Sequence, residues 1–497
     1  MADRRAWAWL LPAVACAAAV YYPITRNYFF ADDFLNLYHI VNDPVLRYLV
    51  TPNGGHLLLT RNAIFFLSFQ LVGPQPEFFY WSVFLTHLIN VILLFRLVQL
   101  MTGSAPLASF GAALWGTSPL LEGTLGWYAV YGQVLVATVL LVILGQALRL
   151  AEAGRVPGRL MQCGWYALAL AAATCFGTGI AVALLLPFVL LLVLPGWPGR
   201  SWWRPPLGSL LLALPVLYVA LNLLYTRLAG EDVLGRTPWL TLLSDPVGIV
   251  LIWTKLIALG LTRLLCGFYF PSWLQPPVWY AVLGVFVAVA IGVTRGAPPP
   301  VRRRLAAAAL LVLACYGVIA AARAVLVLSI ASNLLTEITR YHYVGQLVLA
   351  LTLCLVLARL GSAVPSWAAR ALLAAWYGLT LMSYARFAVP IDNHDHARHH
   401  TARVLAVQQR VIRSGPPKTP VFITNRSFPP LPFMPTQFPG AAAAFVIFRP
   451  VNRTIDGRWI YFVEPDAAVR AAARDGKRTA GLFVAPEDVP GSGGPPP

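Results

Sequence analysis

The run FYWSVFLTHLINVILLFRLVQLM, residues 79–101, carries a single formal charge, Arg96. A helix needs about 20 consecutive apolar residues to cross the hydrocarbon core of a bilayer, so this run reads as a membrane span. His87 and Asn90 stand three residues apart and share one face of that helix. Polar groups in such a place are expected to hydrogen-bond to a neighbouring helix, a contact typically worth about 1 kcal/mol or less.

Outward from this run the pattern repeats. Apolar stretches at 7–22, 106–121, 127–150, 163–176, 178–195, 207–226, 278–294, 306–322, 343–359 and 370–388 complete a set of eleven expected spans. Hydrophobic residues make up 58% of the chain and charged ones 11%, which defines an all-α polytopic membrane protein. The first span follows Arg4 and Arg5 in the manner of a signal peptide but is expected to stay as an anchor. Residues 248–266 are apolar too. Counting them as a span would put Arg302-Arg303-Arg304 outside, against the positive-inside rule, so they are expected to form an outer juxtamembrane helix. Leu57–Val72 is short and is expected to lie along the interface or to re-enter. The N-terminus then lies inside and the C-terminus outside.

The chain divides at about 390. Residues 1–390 form the membrane domain, with a first outer loop at 23–78. Residues 391–490 are expected to form a small extracytoplasmic α/β appendage, with strands at Val421–Thr424, Ala444–Phe448, Trp459–Val463 and Thr479–Val484 and a helix at Asp466–Asp475. The Gly- and Pro-rich 491–497 reads as a disordered tail.

The net charge of +18 comes from 37 basic and 19 acidic residues. The basic residues sit largely in short loops between apolar runs, which points to membrane lipids and phosphate-bearing lipids as partners and away from nucleic acid. The six cysteines lie in or beside apolar runs without CxxC spacing and read as small buried hydrophobes. No inverted repeat of the transporter kind is visible.

The chemistry concentrates in few places. Asp32 and Asp33 stand together in Tyr28-Phe29-Phe30-Ala31-Asp32-Asp33-Phe34, just beyond the first span. One Asp suffices to cap a helix; the second requires another role. The expected topology gathers Asp32, Asp33, His56, Arg61, Glu122, Glu337, Arg340, Tyr341 and Tyr343 on the outer face. Ionisable groups at a membrane boundary are functional candidates, and a one-sided set suits an enzyme better than a transporter. A carboxylate can act as general base on an acceptor hydroxyl. An Arg can hold a departing phosphate through its planar fork. Outside the cytoplasm no nucleotide donor is at hand, so the donor is expected to be lipid-linked. Of the pair, Asp33 is preferred as the base, with Asp32 orienting the loop through backbone amides.

Each candidate also has a structural reading. Glu122 can cap the helix after Pro119, and Arg340 can anchor an aromatic belt with Tyr341 and Tyr343. His56 reads as structural. Asp392, His394, Asp395, His396, His399 and His400 could in principle bind a metal but are expected to be solvated polarity beside the membrane.

These motifs carry a resemblance. The first-loop carboxylates, His87 and Asn90 in the next helix, Pro119…Glu122…Trp127…Gly132, and Glu337-x-x-Arg340-Tyr341-x-Tyr343 resemble the GT-C membrane glycosyltransferases. The nearest branch is that of protein O-mannosyltransferase-like and related bacterial enzymes, and the likeness covers the layout of residues 7–390. It implies a catalytic carboxylate at Asp32 or Asp33 and a polyprenyl-phosphate-linked sugar as donor. Arg340 and Tyr341 match an Arg-Tyr element near the donor, with Tyr343 and Arg61 as further donor-binding candidates and Glu122, His56 and Glu337 in support. The chain departs from many relatives at His56-Leu57-Leu58 and Thr60-Arg61-Asn62, where they have Arg-Pro-Leu. It departs again at Gly177-Thr178, where others have Lys-Glu. Some members of the superfamily use a divalent cation such as Mg or Mn. A single Asp pair without a third close carboxylate points to metal-independent chemistry. The implied enzyme sits in a bacterial inner membrane and glycosylates an extracytoplasmic glycan, lipid or protein. The alternatives are a non-enzymatic binder or translocator of polyprenyl-linked glycans and a polysaccharide polymerase or ligase.

Overall fold

The computed structural model describes residues 4–30, 32–50, 57–194, 245–266, 275–329 and 338–360. It also describes short pieces within 216–224, 367–378, 394–399, 421–423, 454–462 and 482–483. His56, Glu337, most of the expected spans at 207–226 and 370–388, the expected strand at 444–448, the helix at 466–475 and the tail lie outside the described residues.

The decisive run forms helix α5, Pro76–Thr102, after α1 (Arg4–Tyr21), α2 (Asp32–Asn42), α3 (Val45–Val50) and α4 (Leu59–Val72). Pro76 enters at the first turn, where its missing N–H costs nothing. Gly103 ends the helix at φ 71°, a left-handed position that a side chain disfavours. Ser104 then caps α6 (Ala105–Gly116) by accepting the Leu107 N–H at 3.4 Å. The expected span at 106–121 is therefore a shorter helix, cut at Gly116 and followed by 3-10 turns at Pro119–Leu121 and Tyr128–Val130 around α7 (Glu122–Leu125). Helices α8 (Gly132–Glu152), α9 (Arg159–Ala173) and α10 (Gly177–Val193) follow. Between α9 and α10 the chain turns so tightly that a Cβ on Gly179 would overlap the Ala172 carbonyl, so these are two helices folded back on each other.

Next come α11 (Pro246–Cys266), α12 (Pro276–Arg295), α13 (Pro299–Ser329) and α14 (Tyr343–Leu360). Seven helices are long and apolar enough to cross a membrane: Trp7–Arg26, Pro76–Thr102, Tyr128–Glu152, Pro246–Cys266, Pro276–Arg295, Pro299–Ala322 and Tyr343–Leu360. The count is made among the described residues, and the chain is a multi-pass helical membrane protein. Helix α11 differs from the juxtamembrane helix expected for 248–266. Asp245 accepts the Gly248 N–H at 2.8 Å at its start, and every residue from Lys255 to Thr262 is buried. An interfacial helix buries one stripe; this one is enclosed on all sides by α12, α13 and α14.

The polar residues of the decisive run do what their spacing predicts. His87 donates from Nε2 to the Gly116 carbonyl at 3.0 Å and accepts at Nδ1 from the Tyr343 hydroxyl at 2.9 Å. Asn90 donates to the Val134 carbonyl at 2.9 Å and accepts from Thr138 at 2.7 Å. Four helices are thus joined around a buried Tyr343. At the far end of α5 the Arg304 guanidinium donates to the Met101 carbonyl at 3.1 Å and lies 3.9 Å from Glu152. The Arg302–Arg304 cluster therefore meets the C-terminal end of α5. Tyr80, one turn inside its N-terminal end, lies about 31 Å away at 1.5 Å per residue.

Four short strands are also present: β1 (Val421–Ile423), β2 (Thr454–Ile455), β3 (Arg458–Phe462) and β4 (Leu482–Phe483). They order as β2-β3-β1-β4, with β1 parallel to β3 and β4, and β2 antiparallel to β3. Cys16, Cys175, Cys315 and Cys354 are buried as expected, whereas Cys163 is exposed.

Candidate functional site

The aromatic stretch before α2 bends back on itself through Asp33. The Asp33 N–H donates to the Phe30 carbonyl at 2.9 Å, and the Phe30 N–H donates to Asp33 Oδ2 at 3.0 Å. This reciprocal pair works as a capping box does, closing the turn that launches the helix. The other carboxylate oxygen accepts the Ala129 N–H at 2.6 Å, which ties the first loop to the turn after α7. The Tyr80 hydroxyl lies 2.9 Å from the Tyr28 carbonyl and 3.3 Å from Asp33 Oδ2, adding α5 to the bracket. Asp33 is 0% exposed. Burial pushes its carboxyl up to about 7; the Phe30 and Ala129 amides pull the other way, and the neighbouring Asp32 adds to the rise. The oxygens of Asp33, the residue preferred as the base, thus face three protein donors and no solvent.

Asp32 is partly exposed. Its carbonyl accepts from Asn36 Nδ2 at 2.6 Å, one turn on. The Asn36 side-chain oxygen receives Arg61 Nη1 at 2.7 Å and the Tyr48 hydroxyl at 3.4 Å. Arg61, on α4, is 3% exposed and close enough for its charge to act on both Asp32 and Asp33. Its Nε finds no hydrogen-bond partner among the described residues. Beside it Gly132 makes room for the Cys175 carbonyl, which a Cβ there would overlap.

Arg340 lies on a 3-10 turn, Thr339–Tyr341. Its guanidinium carbon stands 4.9 Å from the Trp127 ring centre and 5.2 Å from that of Tyr341, a double cation–π contact. Its carbonyl accepts from Thr124 at 3.1 Å and from Gln133. The same Trp127 ring receives Phe30 edge-on at 5.7 Å. The carboxylate loop and Arg340 are thus brought together through one indole. Glu122, at the start of α7, is partly buried, and burial pushes its carboxyl up to about 7.

Tyr341 is buried and helps line a small, partly open dimple with Phe176, Gly177, Thr178 and Ile319. Tyr343, expected beside the donor, is instead sealed in the interhelical network, its hydroxyl donated to His87. His394, expected as solvated polarity, is 6% exposed. Its Nδ1 is 2.5 Å from the Tyr28 carbonyl and its ring lies 5.3 Å from Phe30. Its partner is 366 residues away, and no local pattern signals that contact.

A divalent cation does not fit the carboxylate pair. Asp33 has its oxygens turned to N–H and O–H donors, which leaves one Asp32 carboxylate next to the buried Arg61 guanidinium. Hard cations require several oxygen ligands. Among the described residues no group of three His, Cys, Asp or Glu side chains gathers closely enough to hold a metal ion. Compared with protein-family models, with curated proteins and with solved structures, the chain finds no match.

Proposed function

We propose that the chain is a GT-C-type glycosyltransferase that moves a sugar from a polyprenyl-phosphate donor to an acceptor hydroxyl. The observation that carries this reading is a partly exposed Asp32 at the same end of the bundle as two guanidinium groups: Arg61, buried within reach of its charge, and Arg340, stacked on the Trp127 that Phe30 also touches. In this reading Asp32 takes the proton from the acceptor hydroxyl. The oxygen attacks the anomeric carbon, the bond from that carbon to the phosphate oxygen breaks, and the electron pair leaves with the phosphate. Arg340 and Arg61 compensate the charge that develops there. A phosphate is a weak base and leaves without protonation. Asp33 holds the loop that carries the base.

The arrangement also supports a side. The triple Arg cluster lies at the far end of α5 from the carboxylates. With the cluster cytoplasmic, the site faces the extracytoplasmic side of a bacterial inner membrane. A C-terminal extracytoplasmic appendage belongs to the same proposal. A transporter would need a polar route to the Arg304 end. The interior of α5 is closed instead by the satisfied His87–Tyr343–Asn90 network.

Mass spectrometry of surface glycans and glycoproteins tests the reading, comparing cells that carry the wild-type chain with cells that carry Asp32→Asn. A glycan present with wild type and missing with the variant is expected. Identical surface profiles in the two strains, at equal membrane levels of protein, would overturn it.

A further inference from the structure

His394 is an unexpected member of the site. It lies beyond the membrane helices in sequence, yet it is buried among residues of the first loop. Its imidazole meets the Tyr28 carbonyl at 2.5 Å from Nδ1, and the Gly126 carbonyl is near enough to act on its charge. Tyr28 belongs to the stretch that Asp33 folds back, and Gly126 precedes Trp127, on which Arg340 rests. Asn27 reaches the same Gly126 carbonyl at 3.4 Å. Four residues on, Arg398 donates to the Arg26 carbonyl at 2.9 Å and lies 5.7 Å from the Tyr28 ring, so a second contact of the same segment grips the same loop.

We propose that His394 is a positioning residue for sugar transfer: by bonding the Tyr28 carbonyl and packing on Phe30 it fixes the Asp32–Asp33 loop beside the Trp127–Arg340 stack. This rests on the glycosyltransferase reading for its catalytic part, and on geometry alone for the clamp.

The chemistry of the ring gives the clamp a pH dependence. The Tyr28 carbonyl is an acceptor, and the single N–H of a neutral imidazole serves it from Nδ1. Burial, the largest influence, and the Arg398 charge hold His394 below its ordinary value of 6.5, while the two carbonyls and Asp395 act against them. The other ionisable groups facing it are Tyr80, whose ring is 5.8 Å away edge-on, Tyr28, and Asp33 behind the Tyr80 hydroxyl. The closed clamp therefore favours the neutral ring over the imidazolium, so acidification loosens it and neutral pH keeps it shut.

The test uses the full-length protein in lipid nanodiscs, comparing wild type with His394→Phe and His394→Gln. Hydrogen–deuterium exchange of residues 28–34, corrected for the intrinsic pH effect, is read at pH 5 and at pH 7.5. In wild type, protection is expected to be lower at pH 5. In the Phe variant exchange should be faster at both pH values and the pH difference should vanish. The Gln variant, which keeps N–H donors without a titrating ring, should retain protection and lose only the pH difference. Equal exchange in all three proteins would overturn the clamp. Transfer kinetics test the second half. A base misplaced by about 1 Å can cost up to about 10²-fold in rate, so kcat should fall in His394→Phe with KM for the polyprenyl-phosphate sugar unchanged. Altered exchange with unaltered kcat would overturn the role in transfer. Failure of the wild type to transfer any sugar would count against the glycosyltransferase reading and leave the exchange result standing.

Discussion

Asp33 accepts the backbone N–H of Ala129 at 2.6 Å across 96 residues of sequence. That single bond seats the first loop on the turn that carries Trp127, and it separates the two adjacent carboxylates into different jobs. Asp33→Ala should leave the buried Phe30 and Ala129 amides without an acceptor, at a cost of about 1–3 kcal/mol each. Thermal melting in detergent should show a clear loss of stability. Asp32→Asn should melt near the wild type and lose about 10²–10⁴-fold in transfer rate, the usual cost of a missing general base. A fully active Asp32→Asn variant would remove the mechanism.

Arg340 offers a planar fork that a lysine does not reproduce. Arg340→Lys keeps the charge but loses bidentate phosphate contact and most of the stacking on Trp127. Affinity for a polyprenyl-phosphate sugar should fall while melting temperature holds. Unchanged affinity, measured by titration calorimetry in nanodiscs, would make Arg340 an aromatic anchor only.

Glu122 should give the fold a pH slope. Burial pushes its carboxyl from 4.5 up to about 7, so the protonated form is the one the fold favours. Its contribution is complete below pH 4.5 and is lost progressively as pH rises to about 7. About 1.4 kcal/mol is at stake per pKa unit, and partial exposure reduces it. Melting temperature should therefore drop between pH 5 and pH 7.5 more steeply in wild type than in Glu122→Gln. Parallel slopes would place the carboxyl in a more solvated setting.

The two ends of α5 should label from opposite sides of the membrane. Cys163 is exposed and is first replaced by serine. A cysteine at position 300, near the Arg302–Arg304 cluster, should then react only from the cytoplasm. One at Leu46, which is 78% exposed on α3, should react only from outside. Labelling of both from one side would contradict the topology.

Much of this was readable from the residue pattern, and the exceptions have a common cause. The run at 79–101 becomes Pro76–Thr102, and His87 and Asn90 bond between helices as their spacing predicts. Hydropathy and helical period act within one segment, so they travel well. The division of labour between Asp32 and Asp33 depends on Ala129, the seclusion of Tyr343 on His87, and the burial of His394 on Tyr28. Each of these is set by a distant partner. Helix α11 misled for a related reason: charge bias reports which loop faces which side, whereas burial on every face of 255–262 is decided by three other helices.

Helix α5 runs from Tyr80, which helps hold Asp33, to Met101, which holds Arg304. Its 27 residues make it about 40 Å long at 1.5 Å per residue, against a hydrocarbon core of about 30 Å. About one helical turn is left at each end for the headgroup layer, so α5 sets the carboxylate loop and the Arg cluster about one hydrocarbon thickness apart.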